Sequence, residues 1–268
     1  MDEMTESTGT AGEQRRAALI TGAGSGIGRA FAATLAAAGS DLLLLDVDAQ
    51  GLATTVAEVS APGIQVRSAT ADVANRDELE RRLAELLAGA HGLDLVITCA
   101  AILGPGTWSA QSPQDFERVM QIDFVGTANT VRAALPWLRQ RQGQIVVLAS
   151  TAAVHGWPGL AAYSAAKFAL VGYCDAIRPE LATEGLGLTI AFPLLIDTPL
   201  LSRPGIPPIL RQGRRIQPER VVRKVLRAAA RRKRRVYIPA SVRVITLLHG
   251  LAPSLLDWYG TRFGLERS

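Results

Sequence analysis

The stretch AALITGAGSGIGRAFAATLAAAG, residues 17–39, decides the fold. Ala17 to Thr21 is an apolar run of strand length, and Ile27, Phe31 and Leu35 then recur every four residues, the spacing of a helix face. Between the two patterns stand Gly22, Gly24, Gly26 and Gly28. A strand that turns into a helix through glycines brings the backbone close to a pyrophosphate, whose charge is met by free N–H groups at the helix N-terminus. A second apolar run, residues 42–45, ends in Asp46, eighteen residues past Gly28. An acid at this place either caps the next helix or accepts hydrogen bonds from an adenosine ribose.

Outward from this unit, apolar strands and amphipathic helices alternate. Strands are predicted at 17–21, 42–46, 65–68, 93–98, 144–150, 188–192 and 236–238. Helices between strands imply parallel pairing with right-handed crossovers, hence an α/β, doubly wound parallel sheet of about seven strands in a single domain. Ligands of such sheets bind beyond the carboxyl ends of the strands. Gly22, Asp46, Asp72, Cys99, Ser150 and Pro193 all fall at or just past those ends, so one crevice is expected to collect them. Residues 1–16 are polar and read as a disordered tail, residues 17–240 as the domain, and the proline- and leucine-rich stretch 194–216 as a lid. Residues 241–268 form an apolar extension, expected to pack on the fold or in a subunit interface, to lie on a surface, or to wall the substrate pocket.

Tyr163 and Lys167 stand four apart in AYSAAK, and Ser150 lies thirteen residues before the tyrosine. Four residues along a helix is one face, so the pair either decorates a solvated surface or sets an ammonium beside a phenol. A tyrosine with a pKa of about 10 becomes a general base at neutral pH only with positive charge close by.

Together these residues resemble the short-chain dehydrogenase/reductase family over residues 15–240. The resemblance implies that TGAGSGIG at 21–28 is the cofactor loop, with Gly22, Ser25, Gly26, Ile27 and Gly28 at the nucleotide. It places Asp72 and Val73 at the adenine, and Ser150, Tyr163 and Lys167 in the catalytic serine, tyrosine and lysine positions. Cys99, Ala100, Ala101, Pro193, Ile196 and Thr198 are then expected at the cofactor, Thr198 at its amide, with Tyr163 and Lys167 touching it too.

The chain departs from the family pattern at three places. Thr98-Cys99-Ala100-Ala101 replaces Asn-Asn-Ala-Gly, Pro193-Leu194 replaces Pro-Gly, and Asp123 in QIDFVGT stands for the fourth catalytic residue, an asparagine. The family residue acts through a backbone carbonyl that holds a water for the lysine, a role open to an aspartate. Ala101 and Leu194 add bulk beside the expected nicotinamide site.

The implied activity is NAD-dependent interconversion of a secondary alcohol and a ketone. Tyr163 is the acid or base, Ser150 orients the substrate oxygen, Lys167 helps to ionise the phenol and Asp123 supports the relay. NAD is expected over NADP, because Asp46 repels a ribose phosphate and the nearby positions Ser25 and Val47 hold no base. Arg29 should point away from the ribose. Trp108, Ala152, His155, Trp157 and the lid leucines suggest a lipophilic substrate, steroid-like or long-chain. The alternative is a nucleotide-binding protein with little turnover that acts through a partner.

Composition bounds the rest. A chain of 268 residues with two cysteines, Cys99 and Cys174, fits one domain in a reducing compartment, and a cytoplasmic location is expected. His91, His155 and His249 lack metal-ligand spacing, so no metal is expected. The net charge of +5 is local, since residues 211–235 carry 12 of the 29 Lys and Arg and one acid, Glu219. Val221, Val222, Val225, Leu226 and Ala229 make this an amphipathic helix with Pro218 near its start. Without interleaved aromatics or a reader motif, nucleic acid is not expected as a partner. A homodimer or homotetramer is, and peripheral membrane contact through the basic helix and the extension is a further expectation.

Overall fold

The computed structural model describes residues 15–202 and 205–263. Most of the expected tail, two lid residues and the end of the extension lie outside these. Seven strands form one sheet in the order β3-β2-β1-β4-β5-β6-β7, every neighbouring pair parallel. They are β1 (Ala17–Thr21), β2 (Asp41–Asp46), β3 (Val66–Thr70), β4 (Leu95–Thr98), β5 (Gln144–Leu148), β6 (Gly187–Pro193) and β7 (Arg235–Ile238). All seven predicted strands are present, with ends moved by one or two residues. Strand β5 stops short of Ser150 because that residue, in extended conformation, caps a 3-10 turn at Thr151–Ala153 through the Ala152 N–H.

The helices are α1 (Gly26–Ala37), α2 (Ala49–Val59), α3 (Arg76–Leu86), α4 (Pro113–Val119), α5 (Gly126–Arg141), α6 (Ala161–Thr183), α7 (Pro208–Gln212), α8 (Pro218–Ala230), α9 (Val242–Leu251) and α10 (Pro253–Phe263). A π-helical turn, Met120–Val125, joins α4 to α5. The central strands are buried on both faces, which is why they read as unbroken apolar runs. On one face Leu79, Leu83, Val131, Leu138, Leu170 and Cys174 of α3, α5 and α6 pack on the sheet, joined by Val242 of α9. On the other, Phe31, Leu52, Val221, Val222 and Val225 of α1, α2 and α8 do the same.

Helix α8 starts on Pro218, buries its valine stripe and turns Arg220, Arg223, Lys224 and Arg227 to solvent. Helices α8 and α9 cover opposite faces of the sheet. The extension packs on the fold through Val242, Leu256 and Gly260, and it leaves Val244, Leu247, Leu251, Leu255, Trp258, Tyr259 and Phe263 exposed. Among the described residues no helix is long and apolar enough to cross a membrane.

The register sets the strand ends level. Thr21 pairs with Leu45 and Thr98, Thr98 with Val147, Leu148 with Ala191 and Pro193 with Ile238. Strand order reverses between β1 and β4, so the connections after them leave in opposite directions and open a crevice.

Candidate active site

A cavity of about 480 Å³ fills that crevice. It is lined by every residue expected at the cofactor: Gly22, Ser25, Gly26, Ile27, Gly28, Asp46, Asp72, Val73, Cys99, Ala100, Ala101, Tyr163, Lys167, Pro193, Ile196 and Thr198. Ser150 and Leu194 line it as well. The glycine turn is as tight as its sequence suggests. Gly22 has φ +67°, and a Cβ there would lie 2.6 Å from the Ala100 nitrogen; one on Gly28 would lie 1.9 Å from the Gly22 carbonyl oxygen. Backbone is thereby packed on backbone where α1 begins, and the cradle fits a pyrophosphate.

Asp46 does not cap the next helix. The N-cap of α2 is Asp48, which accepts the Gln50 N–H. Asp46 instead accepts the Gly24 N–H at 2.7 Å and the Asp48 N–H at 2.9 Å, which fixes its carboxylate at the cavity wall with lone pairs left for ribose hydroxyls. Arg29 does not line the cavity: it donates to the carbonyl of Gly24 at 2.6 Å and to Thr55 Oγ1 at 3.0 Å, and pairs with Glu58. The crevice therefore fits a nicotinamide dinucleotide.

Helix α6 supplies the chemistry. Ala162, Ala166, Leu170 and Cys174 form its buried stripe, and Tyr163 and Lys167, one position on, share that side at the cavity floor. The Lys167 Nζ lies 5.3 Å from the Tyr163 ring centre, donates to the Leu148 carbonyl at 3.3 Å and meets Asp123 Oδ2 at 3.1 Å. Ser150 Oγ accepts the Ala152 N–H at 3.1 Å, which leaves its hydroxyl proton to donate on the Tyr163 side. Burial pushes the Tyr163 phenol above its ordinary pKa. Lys167 pulls it down, Asp123 pushes it up, and a Ser150 hydrogen bond pulls it down. The net direction is upward, with Lys167 the largest influence toward ionisation, as its spacing implies.

Asp123 does not line the cavity. It is fully buried behind Lys167, on the π-helical turn, with Oδ1 accepting the Ile102 N–H at 2.8 Å. Its carbonyl, expected to hold a water, accepts the Thr127 hydroxyl at 2.9 Å. The carboxylate is in contact with the lysine.

Two expected pocket residues are not there. Trp108 is 82% exposed on the loop before α4, and His155 turns from the cavity to put Nδ1 3.3 Å from His249 Nδ1 and its ring against Trp157. Ala152, Trp157 and the lid residues Leu195, Leu200, Leu201 and Leu210 do line it. The apolar wall is completed by Leu103, Ile122 and Leu160, with Arg118 the cation beside them. These last four were missed because they sit on irregular or short segments with no periodicity to flag them. The lid is strapped down by Asp197, which receives Arg215 at 3.2 Å and Gln217 at 3.3 Å.

Fold and site thus define a doubly wound dinucleotide-binding protein with a buried tyrosine–lysine pair. A family model described as short chain dehydrogenase matches residues 16–204, and the chain belongs to that family. The chain is 39% identical over 167 residues to the SadH protein of Mycobacterium tuberculosis, named as an oxidoreductase; the match spans 62% of this chain and 60% of that protein's length. It is 28% identical over 239 residues to human estradiol 17-beta-dehydrogenase 11, spanning 88% of this chain and 78% of the relative. Among solved structures, a short chain dehydrogenase/reductase from Burkholderia phymatum in complex with NAD superposes with a TM-score of 0.82. Its sequence identity is 25%, over 91% of this chain and 95% of that one.

Proposed function

We propose that the protein is an NAD-dependent oxidoreductase that interconverts a secondary alcohol and a ketone on a lipophilic, steroid-like or long-chain substrate. The observation that carries this reading is the convergence of Ser150, Tyr163 and Lys167 with the glycine turn in one crevice. When bound, the nicotinamide supplies the hydride acceptor or donor. Tyr163 Oη takes the hydroxyl proton from an alcohol, or returns it to a ketone oxygen. Ser150 donates its free proton to the same oxygen and orients it. Lys167 donates one proton to the Leu148 carbonyl and meets Asp123 as an ion pair, so it has a proton left for a ribose hydroxyl. The leucines of the lid and Trp157 exclude water from the reacting atoms and favour an apolar substrate. The name of the human relative, an estradiol dehydrogenase, supports a substrate of that size and polarity. NAD is favoured over NADP by the Asp46 carboxylate at the cavity wall.

The test is a panel of lipophilic secondary alcohols with NAD, followed by absorbance of the reduced ring, in wild type and Tyr163→Phe. Turnover that falls at least about a hundredfold in the phenylalanine variant, with NAD affinity kept within a few-fold, is the expected result, since a positioned acid–base group contributes 10²–10⁴-fold. Tight NAD binding without turnover on the whole panel would instead assign a nucleotide-binding protein that acts through a partner.

A further inference from the structure

The Asp123–Lys167 ion pair has a chemical consequence for the residue beside it. Both side chains are out of water, 0% and 4% exposed, and the carboxylate contacts the Lys167 ammonium that lies against the Tyr163 ring. Asp123 Oδ2 has no aligned N–H donor, so its neighbour acts on it as charge on charge, while Oδ1 is held by the Ile102 N–H. Burial works most strongly against the Lys167 ammonium, and Asp123 first and Tyr163 next pull the other way, so that the lysine stands above its ordinary value; burial pushes the Asp123 carboxyl upward too, against the pull of Lys167. The remaining groups around the pair add little charge. Ser150, from the loop after β5, is neutral, and Cys99, at the end of β4, is kept a neutral thiol by burial. Among the described residues Lys167 and Asp123 are the charged groups that act on the phenol, and Asp123 opposes the larger pull of Lys167.

We propose that Asp123 is a positioning residue whose carboxylate, seated on the Lys167 ammonium, restrains proton loss from Tyr163, so that the site keeps a protonated acid for carbonyl reduction at neutral pH. The proposal rests on the functional reading above but is read out without turnover. Alcohol oxidation needs the phenolate and then gains rate as pH rises through the Tyr163 titration. Carbonyl reduction needs the phenol and holds its rate up to that same pH. An asparagine at position 123 keeps the oxygen that accepts the Ile102 N–H and removes only the charge, so the fold is retained and Tyr163 should titrate at lower pH.

The experiment is an ultraviolet titration of tyrosinate on the full chain without cofactor. Tyr163→Phe, in the same background, subtracts the other three of the four tyrosines. Asp123→Asn is compared with wild type, and Asp123→Ser serves as a second neutral variant should the asparagine fail to fold. The expected result is a Tyr163 midpoint lower by at least about half a pH unit in the neutral variant, where each unit is a tenfold change in phenolate. A smaller displacement, or an upward one from loss of the lysine's own proton, overturns the proposal. If some alcohol on the panel is turned over, the rising limb of kcat/KM for its oxidation should move by the same amount. If none is, the functional reading fails while the titration still decides the role of Asp123.

Discussion

Asp46 illustrates how much one side chain can settle and how its test must be read. Its carboxylate holds the glycine turn through Gly24 and the start of α2 through the Asp48 N–H, and it faces the cavity besides. A phosphate on the adenosine ribose would meet this charge and take away the hydroxyl it can accept from. NAD is expected to bind at least about tenfold more tightly than NADP, a discrimination of about 1.4 kcal/mol. Asp46→Ala should weaken both cofactors, because two backbone N–H groups lose their acceptor, and should narrow the gap between them. Titration of both cofactors with both proteins checks this, and NADP equal to or tighter than NAD in wild type would sink it. At this scale the sequence was legible where chemistry depends on side-chain type, as for Asp46, Ser150, Tyr163 and Lys167. It was not legible where chemistry depends on direction. The spacing rule puts Lys167 beside Tyr163 but is silent on Asp123 behind it, and nothing in the residues around Trp108 and His155 says that one faces water and the other a histidine in α9.

Elements were read best where two signals agreed. The turn between β1 and α1 combines a strand ending, glycines and a helix period, and the structure shows why glycine is required at its end. A methyl on Gly28 would sit 1.9 Å from the Gly22 carbonyl, against backbone that cannot swing aside. Gly28→Ala is therefore expected to displace the turn and cut NAD affinity by a hundredfold or more. The rest of the sheet, paired in register through β1, β2 and β4, should still fold. Isothermal titration with a circular-dichroism control measures both; unchanged affinity would show that the cradle tolerates a shifted α1. The π-helical turn at Met120–Val125 could not be anticipated, since one extra residue in a helix leaves the apolar period almost intact. The basic helix α8 was open from its sequence alone, and packing decided it: five valines and alanines go inward, and the cations are a solvated face.

At the scale of the whole molecule, a ligand that binds only the native state raises stability by mass action. At a hundred times its dissociation constant NAD should add about 2.7 kcal/mol. For a domain of this size that is a rise in Tm of about 5–10 °C. Thermal melts with and without NAD check it, and Gly28→Ala should abolish the rise; a rise of equal size in that variant would place NAD elsewhere. The parallel sheet also has a kinetic corollary. Gly22 and Asp46 come from the first third of the chain, Ser150 from beyond its middle and Pro193 from beyond two-thirds of it. They become neighbours only when β4, β5 and β6 have each crossed over and paired. Such non-local pairings form late and slowly. A nascent or half-folded chain can carry the entire glycine turn and still have nothing to close around the nucleotide. Affinity for NAD is thus the last property the chain acquires on folding, and a stopped-flow trace of its capture would time the completion of the sheet.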